Sequence, residues 1–167
     1  MLTDLVQIRR VGEKKREENS KFRRYLKTHD FVERRFRKIA EDVEDQIDCT
    51  ACANCCRVAT VKLAERDVDK LSRFLRIKRD QFLRDYTVQD PEEGLILRRN
   101  ESGCVFLSGN ECTIYEARPG TCEDFPHVIR GAGSMVSRMW QLVDRATYCP
   151  IAYNWMELVK QETKFRT

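Results

Sequence analysis

No stretch of this sequence approaches the run of about 18 apolar residues that a membrane-spanning helix needs. Residues 1–46 contain no cysteine, no proline and a single glycine, Gly12. Nowhere does a strand lead into a Gly-x-Gly-x-x-Gly turn, which argues against a dinucleotide-type cofactor. Histidine is scarce, with only His29 and His127. Asp4, Arg9, Arg10 and Glu13 place charges where the apolar core of a secretory signal would lie, so we expect no such signal. A cytoplasmic location follows as an expectation, and there thiols stay reduced.

What the sequence does hold is sulfur. It has 8 cysteines in 167 residues. Cys49, Cys52, Cys55 and Cys56 crowd into Cys-Thr-Ala-Cys-Ala-Asn-Cys-Cys-Arg, while Cys104, Cys112, Cys122 and Cys149 are spread over the rest and return to the first group only through folding. A Cys-x2-Cys-x2-Cys run brings three sulfurs within about one helical turn, which suits a shared ion better than three separate disulfides. All eight cysteines are therefore candidate metal ligands. A structural zinc contributes about 10–16 kcal/mol of apparent binding energy, against about 5–15 kcal/mol for the stability of a whole domain. Metal can thus decide whether the cysteine-rich part folds.

Thiolate ligation selects zinc, copper(I) or iron in iron–sulfur clusters. Eight sulfurs suit two zinc ions, two clusters, or one of each. Cys49-x2-Cys52-x2-Cys55 with a remote Cys149-Pro150 is similar to the ligand run of bacterial ferredoxins. No second Cys-x2-Cys is present, which favours an iron–sulfur centre over zinc, with zinc still open. Cys56 is expected to point away from Cys55 and to serve a second site with some of Cys104, Cys112 and Cys122.

The fold class expected is mainly α with a small β-meander: an irregular, metal-stabilised cysteine-cluster domain over residues 48–167, preceded by a charged helical extension over residues 1–47. Val32, Phe36, Ile39, Ala40, Val43 and Ile47 recur at helical spacing, with Asp30 and Glu33 reading as N-cap and capping box. Leu2, Leu5, Val6, Phe22, Tyr25 and Leu26 suggest an earlier helix broken near Thr28. A short strand is expected at Val58–Val61, helices at Ala64–Leu75 and Asp80–Tyr86, and a loop at Gln89–Pro91. Strands are expected at Leu95–Leu97, Cys104–Leu107 and Cys112–Tyr115, delivering Cys104 and Cys112 beside turns whose N–H groups are free to bond thiolates. Met135–Leu142 reads equally as strand or helix. Pro150 opens a last helix with Ile151, Trp155, Leu158 and Val159 inward, and that helix's N-terminus favours a Cys149 thiolate.

Cys49-x2-Cys52-x2-Cys55-Cys56, Cys104-Val-Phe-Leu, Cys112-Thr-Ile-Tyr115-x2-Arg118-Pro119-x2-Cys122-x2-Phe125-Pro126 and Cys149-Pro150 together resemble the YkgJ-type cysteine-cluster family of zinc- or iron-chelating domains. The resemblance includes every cysteine and implies metal chelation without implying a reaction. It leaves His127 and His29 outside the motif, and it assigns no catalytic residue.

The leading functional reading is a metal-binding protein with an iron–sulfur centre or zinc in a structural or redox role. An enzyme related to flagellin lysine N-methylase, which shares the cysteine motif, is the second. The run here is not the Cys-x3-Cys-x2-Cys of radical S-adenosylmethionine enzymes. A nucleic-acid-binding zinc protein is the third, and the composition disfavours it. The 31 basic residues are offset by 27 acidic ones, for a net charge of +4, and no base-stacking aromatics accompany the basic N-terminal helices. Those helices are the expected surface for a protein partner or a second copy of the chain, and no membrane partner is expected. Cys55→Ser and Cys149→Ser are each expected to lower metal content and thermal stability, because an empty ligand position opens the ion to water. Full occupancy with an unchanged melting temperature in both variants would remove them from the ligand set.

Overall fold

The computed structural model describes residues 1–166. The chain is mainly helical with three small two-stranded antiparallel sheets, and it forms two compact units. Met1–Asp48 joins the segment from Phe125 onward, and Cys49–Asp124 stands as the other. The sequence predicts a division between residues 47 and 48, whereas the boundaries of these units fall after Asp48 and again after Asp124. The second divides the expected cysteine-cluster domain, because the C-terminal helices share a core with the N-terminal ones.

The discontinuous unit is built on α1 (Leu5–Lys14), α2 (Arg16–Leu26), α3 (Glu33–Glu44), α9 (Met135–Arg145) and α10 (Pro150–Glu162). Its core contains Phe22, Leu26, Phe36, Ala40, Val43, Met139, Leu142, Trp155 and Val159. α10 is covered nearly all round, with Ile151, Ala152, Tyr153, Asn154, Trp155, Met156, Val159 and Lys160 buried. Its polar groups are consequently paired. Trp155 Nε1 donates to Phe36 O at 3.0 Å, Asn154 exchanges hydrogen bonds with the Leu2 backbone at 2.9 and 2.7 Å, and Lys160 meets Glu18 and Glu157, the latter also paired with Lys15. Leu158, expected inside, is exposed. It lines an open groove between α10 and α3 together with Ile39, Asp42, Gln46 and Glu162.

Several local expectations shift. The early helix is two helices that meet at Lys15 (φ −91°, ψ 1°). α1 lies against Ala146 and Tyr153 through Ile8, whereas α2 packs on α9, so the two answer to different neighbours. The capping box at Asp30 is not formed. α3 begins at Glu33 after an uncapped Val32, because Phe31 stacks on Phe36 with ring centroids 4.8 Å apart and fixes the chain's entry. Met135–Arg145 is a helix, its first turn capped by Ser134.

The Cys49–Asp124 unit holds α4 (Cys49–Cys52), α5 (Asn54–Val58), α6 (Glu65–Leu75), α7 (Arg79–Tyr86) and α8 (Gly120–Glu123). The hairpins are β1 (Thr87–Asp90) with β2 (Gly94–Leu97), β3 (Arg99–Asn100) with β4 (Gly103–Cys104), and β5 (Leu107–Ser108) with β6 (Glu111–Cys112). The expected meander is thus three separate hairpins, and Gln89–Asp90 is strand rather than loop. The strand expected at Val58–Val61 moves on, since Val58 ends α5 and the bonds to β2 come from Val61 and Leu63. Val68, Leu71, Phe82, Leu97, Phe106 and Ile114 form the core, and Phe82, Tyr86 and Phe106 stack in succession at 5.6 and 5.0 Å. No helix among the described residues is long and apolar enough to cross a membrane.

In the discontinuous unit Gly12 permits the closest approach. A Cβ there would lie 2.5 Å from Ala146 O and 2.7 Å from Thr147 Cα, both backbone atoms. Gly12→Ala gains helix propensity of about 1 kcal/mol but meets an overpacking cost of about 1–3 kcal/mol. We expect a net loss of stability in urea unfolding; a gain would mean that α1 moves freely off Ala146.

Candidate metal centre

The cysteine run folds as two very short helices because Ala53 reverses the chain between them. Ala53 sits in the left-handed region (φ 47°, ψ 14°) and is 5 % exposed. For a residue with a Cβ this conformation costs about 1–2 kcal/mol, so its surroundings must hold it. Its N–H bonds Cys49 O at 3.1 Å and its carbonyl accepts from Cys56 N at 3.1 Å. Cys55 and Cys56 are not turned apart as expected. They share the single turn of α5, and the Cys55 side chain hydrogen-bonds the Cys56 sulfur.

Cys104 and Cys112 arrive on equivalent hairpins. Each sits at the last residue of a two-residue strand, and each sulfur accepts a hydrogen bond from the backbone N–H two residues on, from Phe106 and Ile114 respectively. The donors sit in turns that follow the cysteines, where the sequence predicts the strands Cys104–Leu107 and Cys112–Tyr115; those strands end at Cys104 and Cys112 instead. Gly103 (φ +121°) lets the first hairpin lie directly on the cysteine run, since a Cβ there would be 2.5 Å from Cys56 O and 2.7 Å from Arg57 Cα. Cys122 is carried by α8, which α6 holds in place. Asp67 accepts from Gly120 N at 3.1 Å, Lys70 Nζ donates to Arg118 O at 2.7 Å and to Glu123 at 2.8 Å, and Thr121 donates to Lys62 O at 3.0 Å.

These elements bring Cys56, Cys104, Cys112 and Cys122 within electrostatic reach of one another. Burial pushes the Cys104 and Cys112 thiols up, and each is pushed further by Cys56. Burial pushes Cys122 up to about 12, with Cys104, Cys56 and Cys112 adding repulsion. Cys56 goes the other way, to about 6, because the Cys55 side chain bonds its thiolate and Arg57 lies nearby. Guanidinium groups face the cluster at Arg57, Arg99 and Arg118. Arg118 lies over the Tyr115 ring at 4.0 Å, and its Nε is buried without a hydrogen-bond partner.

The other candidates are placed differently. Cys49 is exposed, and Cys52 and Cys55 are half-buried on α4 and α5. Cys149 belongs to the discontinuous unit, where it is buried at the N-cap of α10 with Pro150 at the first helical position. All eight are free thiols, and among the described residues no three His, Cys, Asp or Glu side chains stand as a ready-made coordination shell. The four clustered sulfurs lie close enough for their thiolate forms to repel one another. Sequence reasoning passed over Gly103, whose only signal is its place directly before Cys104, and Asp67, which looks like an ordinary first-turn acid of α6.

Compared with known families, residues 48–150 match the model CxxCxxCC, "Putative zinc- or iron-chelating domain". No curated protein and no solved structure matches the chain.

The opposed shifts within the cluster are measurable in metal-stripped protein, since the thiolate is the reacting form. Iodoacetamide is expected to label Cys56 ahead of Cys104, Cys112 and Cys122, with a rate that rises through about pH 6. Cys122 is expected to react last of the four. Equal rates at pH 7, read by peptide mass spectrometry, would contradict this arrangement.

Proposed function

Since the chain belongs to the CxxCxxCC family of zinc- or iron-chelating domains, we propose that Cys56, Cys104, Cys112 and Cys122 together hold one zinc or iron ion in a chiefly structural role. The observation that carries this reading is the convergence of these four thiols, whose thiolate forms would repel one another, in a half-buried place, with N–H groups from Phe106 and Ile114 already directed at two of the sulfurs. A divalent cation converts that repulsion into attraction, and four thiolates match the tetrahedral sulfur set of structural zinc or a single iron. Arg118 fits the same picture, because a half-buried arginine whose buried Nε has no hydrogen-bond partner is balanced by the net negative charge that four thiolates leave around a divalent ion.

Bound metal would supply cross-links between α5, the β3–β4 and β5–β6 hairpins, and α8. The protein's part is to hold the sulfurs, to donate N–H groups to them, and to release protons. Three of the four thiols have raised pKa values, so metal uptake must displace protons and affinity falls as pH falls.

Metal analysis and an absorption spectrum on protein purified without oxygen test the proposal. We expect zinc or iron at one or two ions per chain, the second value meaning that the remaining four cysteines load as well. Acid-labile sulfide matching the iron would replace the single ion with a cluster. We expect Cys104→Ser combined with Cys122→Ser to remove one ion and to lower the melting temperature. Unchanged metal content in that double variant would overturn the assignment.

A further inference from the structure

The cysteine run begins with a helix of four residues, α4, none of them buried. A helix this short does not persist alone, and its last carbonyls have no partner within it. Those carbonyls are instead taken up by two side chains that are not ligands. Arg57 Nη1 donates to Cys52 O at 3.1 Å, while its Nη2 donates to Gly109 O at 3.0 Å and to Asn110 Oδ1. Asn110 returns the tie, donating from Nδ2 to Ala51 O at 2.9 Å. A second guanidinium, Arg99, donates to Ala59 O at 2.6 Å and to Arg57 O, closing the far end of the run.

The geometry matters because of where Gly109 and Asn110 stand. They form the turn of the β5–β6 hairpin, three and two residues ahead of Cys112. We propose that Arg57 and Asn110 are positioning residues of the metal centre, a two-ended clamp that fixes the Cys49–Cys56 run against the hairpin bearing Cys112 before metal arrives. The inference rests on the metal-binding reading above. The clamp sets how slowly the ion leaves: with it, the sulfurs on two separate elements cannot drift apart without breaking several hydrogen bonds together. A lysine at position 57 keeps the positive charge near Cys56, but one ammonium replaces the planar fork that reaches Cys52 O and the hairpin turn at once.

The test uses the full chain loaded with cobalt(II), whose thiolate charge-transfer absorption reports sulfur ligation, and follows release into excess chelator. Cys112→Ser serves as the ligand-loss reference and should lower the band itself. Arg57→Lys and Asn110→Ala are expected to keep the band and to release cobalt about tenfold faster, the scale of one or two lost hydrogen bonds. Both Asn110 and the turn that carries it are exposed, so folding is expected to be intact by circular dichroism. Wild-type release rates in both variants would overturn the clamp and leave the metal site standing. Slow release in Arg57→Lys with fast release in Arg57→Met would overturn it in favour of charge alone. Wild-type protein with no sulfur-to-cobalt band would overturn the metal reading and the clamp with it.

Discussion

Four sulfurs, on Cys56, Cys104, Cys112 and Cys122, share a half-buried space in which each thiolate would repel the other three. The Cys49–Asp124 unit is arranged around that repulsion. Two hairpins turn backbone N–H groups toward the sulfurs of Cys104 and Cys112. Arg57, Arg99 and Arg118 bring positive charge to its edge. Neither device gathers enough charge to ionise Cys122, which burial and its neighbours hold protonated. A cation does, and this is the physical content of chelation by such a domain.

Close backbone contact is what makes the arrangement possible. Gly103 carries no Cβ at the point where the β3–β4 hairpin meets Cys56 and Arg57, and the sulfur of Cys104 is thereby brought in beside α5. Asp67 and Lys70 perform the corresponding task for Cys122, by fixing α8 to α6. None of these residues binds metal in our reading. They determine where the ligands stand, at the level of tenths of an ångström that a rigid coordination sphere requires.

Much of this was legible in the sequence where local patterns govern. The stripe Phe36, Ala40 and Val43 is buried as its spacing implies, and Pro150 opens the last helix. The cysteine spacings identified the family, whereas the N–H donors Phe106 and Ile114 lie in turns where strands were expected. What escaped depends on partners distant in sequence. Asp30 fails as a cap because Phe31 finds Phe36. Residues 125 onward pack with the N-terminal helices because α10 offers apolar surface on nearly every side and needs α3 and α9 to cover it. Cys56 accepts a bond from Cys55 because α5 is a single turn with both residues on it. No spacing rule reports such meetings.

The buried circumference of α10 also has a consequence for the order in which the protein is made. Phe22, Leu26 and Phe36 are synthesised before the Cys49–Asp124 unit, and the helix that seals them is synthesised after it. Between the two lies the whole Cys49–Asp124 unit, continuous in sequence and able to complete its own contacts as it emerges. The first 48 residues must meanwhile wait with aromatic surface uncovered. Acidic and basic residues are interspersed along α1, α2 and α3, a surface charge that favours solubility while those helices wait for Trp155.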